Sequence, residues 1–264
     1  MLHSLKRVLR GLPAYLWGGW GAACSLLFLL ALWEGLSAIY GALILPDPLT
    51  CLQRLGELLA AGKLGGELLI TARRASIGLG LALAAGSLLG LCAGLSATVA
   101  LLARPLITVL LGTPPIAWLV LALLWFGMGD GTPVFTVFVA CFPIVFAGAL
   151  QGARTLDAGL RDMARACRLP LGMRLREVYG PHILSYLFPA AITALGSAWK
   201  VVVMAELLAS ERGVGAALAI SRAQLDTAAT LAWVVAVLGC LLCVEYGLLE
   251  PLRLELERWR ENTR

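Results

Sequence analysis

Glu34, Lys200 and Glu206 stand inside long apolar runs of the chain, and Glu245 lies close enough to the end of another run to reach water. A charge at membrane depth is costly, so each such residue marks an ion pair, a proton or ion relay, or a group that meets a transported solute. Lys200 and Glu206 are six positions apart, roughly 120° around a helix, which makes them poor partners for each other. Glu34 and Lys200 have comparable depth and opposite charge. They form either a structural interhelical pair or a gate that touches substrate. Pro114 and Pro115, within GTPPIAW, free backbone carbonyls and bend a helix. That bend is either a plain kink or part of a substrate path, for which Pro114, Pro115, Trp118, Trp199, Lys200 and Glu206 are the candidate lining. Pro143 and Pro189 interrupt two further helices.

Covalent chemistry finds no foothold. Cys240 and Cys243 form a C-x-x-C, but a zinc site needs two more ligands and the sequence holds only His3 and His182 as histidines. The remaining cysteines, Cys24, Cys51, Cys92, Cys141 and Cys167, behave as small apolar groups where they fall inside spans. No G-x-x-x-x-G-K-[ST] occurs, and the lysines are Lys6, Lys63 and Lys200 alone. A phosphate-cradling loop is therefore excluded, and any nucleotide that drives the protein is bound by another chain.

The elements that must position these residues are membrane helices. Hydrophobic residues make up 60% and charged residues 14% of the sequence, and mean hydropathy is +0.87. An apolar helix of roughly 20 residues crosses the hydrocarbon core, and six candidates are present, at about 21–45, 75–95, 105–129, 132–152, 183–209 and 228–250. An all-α membrane protein of about six spans follows. The division is a 1–20 N-terminal segment, a 21–250 membrane domain and a 251–264 tail. The first span is too long, and too poor in a following cleavage site, for a removed signal peptide. With the N-terminus inside, the inner segments hold 14 basic residues and the outer ones hold 6, namely Arg54, Lys63, Arg73, Arg74, Arg212 and Arg222. That asymmetry places both termini in the cytoplasm. The net charge of +5 follows from the same bias and from attraction to anionic lipid, and no basic soluble face for nucleic acid is present. Gly86, Gly90 and Gly94 recur every fourth residue and predict a close helix-packing seam.

Between two spans lies a charged insert, residues 157–181. As a helix over 157–168 it would carry Leu160, Met163, Ala164 and Cys167 on one side and Arg161, Asp162, Arg165 and Arg168 on the other. The apolar side is expected to stay attached to the membrane helices. Pro170 and Gly172 stop the helix and turn the chain into a second short basic segment, 173–179, before Gly180 and Pro181. Such an element could rest on lipid or serve as a docking knob for a soluble partner.

The insert resembles the cytoplasmic signature of permease subunits of binding-protein-dependent ABC importers, E-A-A-x3-G-x9-I-x-L-P. Asp162, Met163 and Ala164 stand at the first three positions, Arg168 at the glycine, Val178 at the isoleucine, and Gly180 with Pro181 at the final pair. Asp and Val are mild changes, whereas Met163, Gly180 and Arg168 depart from the pattern. LPDP at 45–48, RPLITVLLGTPPIAWLVLALLWFGMGD at 104–130, FPIVFAGALQGARTLD at 142–157, AWKVVVMAELLASERGVG at 198–215 and SRAQLDTAATLAWVV at 221–235 are similar to the nitrate, sulfonate and taurine branch. The resemblance implies a type I importer permease with a path for a small anionic solute. It implies two ATPase subunits docked through Arg161, Asp162, Met163, Ala164, Arg165, Arg168, Pro170 and Gly172. ATP and magnesium would be bound by those subunits, and no cofactor by this chain. A second permease copy, an extracytoplasmic binding protein and the bacterial inner membrane complete the implied setting. Related members handle thiamine precursors, riboflavin or aromatic acids. An ion-coupled secondary transporter would instead use Glu34, Lys200 and Glu206 as a relay and show internal repeats, and a membrane enzyme would need company around its histidines.

Overall fold

The computed structural model describes residues 24–25, 27–155 and 179–244, together with 159, 163, 166–168, 170–173, 176 and 247. The regular structure among them is helical. Helix α1 is Leu27–Tyr40. It is followed by α2 (Pro48–Ala60), α3 (Lys63–Leu95), α4 (Ala97–Gly112), α5 (Pro115–Phe126), α6 (Gly131–Arg154), α7 (Gly180–Ala209), α8 (Val214–Ala223) and α9 (Thr227–Val244).

Local chemistry explains where these helices start and stop. Asp47 caps α2, its carboxylate accepting the Thr50 N–H at 3.0 Å, and Pro48 occupies the first turn, where no backbone donor is needed. From Lys63 to Leu95 nothing breaks the backbone, so α3 runs on for 33 residues. The expected second span therefore starts 12 residues early, because Arg73 and Arg74 belong to the helix and not to an outer segment. Pro114 and Pro115 split the expected third span into α4 and α5, which meet at 96°. Four helices, α3, α6, α7 and α9, are long and apolar enough to cross a membrane, and the bent pair makes a fifth. The described part of α1 is shorter than a span, and its expected start at 21 lies outside the described residues, as do 1–20, Glu245 and 251–264. Helices α2 and α8 were not expected. They form because Leu55 and Leu58 of α2 and Ala217 and Leu218 of α8 close over Leu64 and Trp233.

The core is a three-helix layer of α3, α6 and α7. Cβ atoms added at Gly78, Gly86 and Gly90 would meet the backbone or side chains of 134–150 at 2.9 Å or less, and one at Gly94 would strike Ala153. Contacts thus climb both helices together, so α3 and α6 run parallel, and the glycine seam is their interface. Gly78 extends it by two turns beyond the expected three. On the other flank of α6, Gly148 meets Ala190 and Gly152 meets Ile183, in antiparallel order against α7. One end of the bundle gathers residues 41–62, 127–130 and 210–226, tied by Arg54 to Asp226 at 3.1 Å and by the Gly129 N–H to the Ala209 carbonyl at 3.3 Å. The other end carries the α3–α4 turn, the C-terminus of α6 and the N-terminus of α7.

Candidate functional site

At the first of these ends four segments meet around a buried guanidinium. Arg74, on α3, donates through Nη1 to Glu206 Oε1 on α7 at 2.8 Å and to the Arg212 carbonyl at 2.6 Å. Its Nε donates to Asp130 Oδ1 in the α5–α6 turn at 2.8 Å, and its Nη2 donates to the same oxygen. Glu206 is fully buried, and its other oxygen accepts from Thr71 Oγ1 at 2.7 Å and from the Gly215 N–H at 3.2 Å. Thr71 Oγ1 in turn accepts from the Val214 N–H at 2.9 Å. Glu67 receives the Gly213 N–H. A buried carboxylate is tolerated only when its lone pairs are satisfied, and here three donors satisfy it, two from α3 and one from the start of α8. Gly213 has φ +103°, and a Cβ there would run into the Glu206 carboxylate. Only glycine lets the loop wrap the acid this closely.

This arrangement corrects the expected roles of several residues. Glu206 does not lie open on a path but is the centre of a structural staple. Hydropathy alone leaves Arg74 in an outer loop, and that hides its partnership with Glu206, Thr71 and Asp130. The available signal is the absence of any helix breaker between Glu67 and the apolar run, which puts Arg74 on the same helix as that run. Glu34 and Lys200 are not brought together: both are exposed, and neither makes an ion pair with a described residue. Pro114 is exposed at the α4–α5 break and Pro115 is half-buried at the start of α5. Trp118 and Trp199 bury their indole Nε1 with no acceptor among the described residues. An unmade bond of that kind costs about 1–3 kcal/mol.

The opposite end holds the feet of the charged insert. Thr155 Oγ1 lies 3.3 Å from His182 Nε2, and His182 stacks near Tyr186 with ring centroids 5.3 Å apart. With the Gly148 and Gly152 contacts, these bonds clamp the end of α6 to the start of α7. Of the expected docking residues, Arg161, Asp162, Ala164 and Arg165 lie outside the described residues, as does Leu160. The Cys167 N–H bonds the Met163 carbonyl at 2.9 Å, one helical turn. Both side chains are exposed, so these two residues of the side expected against the membrane helices are not covered by the described residues. Arg168 has φ +48°. The chain therefore turns at Arg168 itself, ahead of Pro170 and Gly172, in a conformation that a side chain other than glycine adopts at a cost of about 1–2 kcal/mol. Arg168→Gly is expected to stabilise the assembled protein by up to about 1 kcal/mol, read as a raised melting temperature, whereas an unchanged or lowered one would show that the arginine side chain is itself anchored.

Residues 82–248 match the family model described as binding-protein-dependent transport system inner membrane component. The chain is 30% identical over 238 residues to SsuC of Bacillus subtilis, a permease protein provisionally named for aliphatic sulfonates transport, covering 89% of this chain and 85% of that one. It is 30% identical over 197 residues to the nitrate import permease protein NrtB of Synechococcus elongatus, covering 70% of each. It is 28% identical over 244 residues to the taurine transport system permease protein TauC of Escherichia coli, covering 89% of this chain and 88% of that one.

Proposed function

This chain belongs to the inner membrane components of binding-protein-dependent transport systems, and from that premise we propose that it is the path-forming half of an ATP-driven importer for a small oxyanion. Sulfonate, nitrate and taurine are the solutes in the names of its relatives. All three present a compact oxygen-bearing head, which supports one chemical class of cargo. Two copies of the chain enclose the path, two ATPase subunits dock from the cytoplasm, and a binding protein delivers solute to the staple end. Both termini and residues 155–180 face the cytoplasm, a reading supported by the excess of basic residues on that side, which grows once Arg73 and Arg74 are assigned to α3 instead of an outer segment.

The observation that carries the mechanism is the clamping of α6 to α7 at both ends. Near the insert they are held by Thr155, His182 and the Gly152 contact, and at the far end by Arg74 and the Gly129 to Ala209 bond. Force applied to the insert therefore moves the pair as one rod instead of bending either helix, as a switch between inward-open and outward-open arrangements requires. The Asp162 side of the insert meets the ATPase. Asp162→Lys is expected to abolish co-purification of the ATPase subunit, or to leave its hydrolysis running without uptake, while the permease still inserts. A helix merely resting on lipid would tolerate an added positive charge near anionic headgroups, so unchanged pull-down and unchanged solute-stimulated hydrolysis would reject the docking role.

A further inference from the structure

Helix α7 has one outward stripe. Pro189, Thr193, Lys200 and Leu208 are exposed along it, with Ser197 and Met204 half-buried between them, each three or four residues from the next. The flanks are closed: Ala198, Trp199, Val201 and Val202 are all buried. Three polar residues, Thr193, Ser197 and Lys200, thus fall on the face that α7 leaves uncovered from Pro189 onward. Lys200 is nine residues from Ala209, about 13 Å along the axis, and about 30 Å from Gly180 at the other end. That distance exceeds the length of a lysine side chain in either direction. Lys200 takes part in no hydrogen bond or ion pair with a described residue, unlike Arg74, which has an acceptor for each nitrogen.

A lone ammonium at this depth does not face hydrocarbon. The stripe therefore faces water or another protein surface. Its chemistry leans to donors, since Thr193 and Ser197 accompany an ammonium and no carboxylate shares the face. The Thr193 hydroxyl already donates to the Pro189 carbonyl at 3.0 Å, which leaves the ammonium as the free positive group. A compact, strongly charged point donor fits a small oxyanion better than a bulky or neutral solute.

We propose that Lys200 is the anion-binding group of the translocation path, holding the oxygen-bearing head of the solute at mid-membrane on the stripe of Thr193, Ser197 and Lys200. The proposal rests on the importer reading above and adds to it a site and a charge rule. The path lies along this face of α7, and a solute lacking negative charge has no counterpart there.

The test uses the full complex, permease with ATPase and binding protein, reconstituted in vesicles and supplied with labelled ethanesulfonate or nitrate. Lys200→Met is expected to lower ATP-dependent uptake at least tenfold. Lys200→Arg should retain a substantial part of it, and in both variants assembly and solute-free ATP hydrolysis should match wild type. Should Lys200→Met fail to assemble, Lys200→Cys decides. The introduced thiol should react with a water-borne methanethiosulfonate reagent faster than the unmodified background does, and restoring a positive charge with the aminoethyl reagent should recover uptake. Wild-type uptake with an equally active Lys200→Met would overturn the proposal and leave the importer reading intact. No uptake of either probe by wild type would overturn the oxyanion reading itself. Recovery of uptake in Glu34→Lys with Lys200→Glu, neither active alone, would overturn the proposal in favour of an ion pair between two copies. A thiol in Lys200→Cys that no aqueous reagent reaches would overturn it as well.

Discussion

Arg74→Ala is expected to destabilise the folded protein by about 3–5 kcal/mol, the usual consequence of leaving a buried charge without its partner. Here the abandoned charge is Glu206, which has no exposure to solvent and keeps only Thr71 and the Gly215 N–H. The melting temperature of the detergent-solubilised protein should fall by on the order of 10 °C. Arg74→Lys should rescue little, because the guanidinium serves Glu206, Asp130 and the Arg212 carbonyl at once and an ammonium cannot span them. Adding Glu206→Gln to Arg74→Ala should recover part of the loss, since a neutral amide is cheaper to bury than an unpaired carboxylate. Strictly additive losses would mean that the two residues are stabilised independently and that the staple is not a unit.

Gly90→Leu is expected to be comparably damaging for a different reason. The first carbon of the new side chain alone would lie 2.5 Å from the Phe146 carbonyl oxygen and 2.7 Å from Ala149 Cβ. Backbone on one side and a buried methyl on the other leave nothing flexible to move, so α3 and α6 must separate. Overpacking of this kind costs about 1–3 kcal/mol and sometimes more. Separation along a seam of four glycines puts the effect at the upper end. Gly80→Leu is the control, on the same helix but with nothing within 4 Å of its added Cβ. Equal melting temperatures for the two variants would remove the seam as the determinant of α3–α6 packing.

The seam was legible in the sequence because a four-residue repeat of glycines has one structural meaning on a membrane helix: a flat strip that admits another backbone. The spans were legible for a related reason, since length and apolarity are local properties. The staple was not legible. Its acid and base are 132 residues apart, and nothing local in AELLASERGVG names Arg74 as the partner of Glu206. Depth estimates were equally blind to rotation: Glu34 and Lys200 share a level yet are not brought together, whereas Glu206 reaches a residue that hydropathy leaves outside the membrane. Arg168 is an intermediate case. Its place at the glycine of the signature flagged a backbone problem, and the positive φ shows that the turn stays there even though the glycine does not.

The order of synthesis adds a constraint that the finished fold conceals. Arg74 emerges 56 residues before Asp130 and 132 before Glu206. At about 5–20 residues per second, translation takes on the order of ten seconds to supply the second carboxylate. Until Asp130 emerges Arg74 has neither of these carboxylates, and after that it has only one of the two, so α3 has to wait near the aqueous boundary, or against the insertion machinery, until α7 arrives. Commitment of the chain to its final depth is therefore a late event, set by the segment Ala205–Gly215 and not by the hydrophobicity of the helix that holds Arg74.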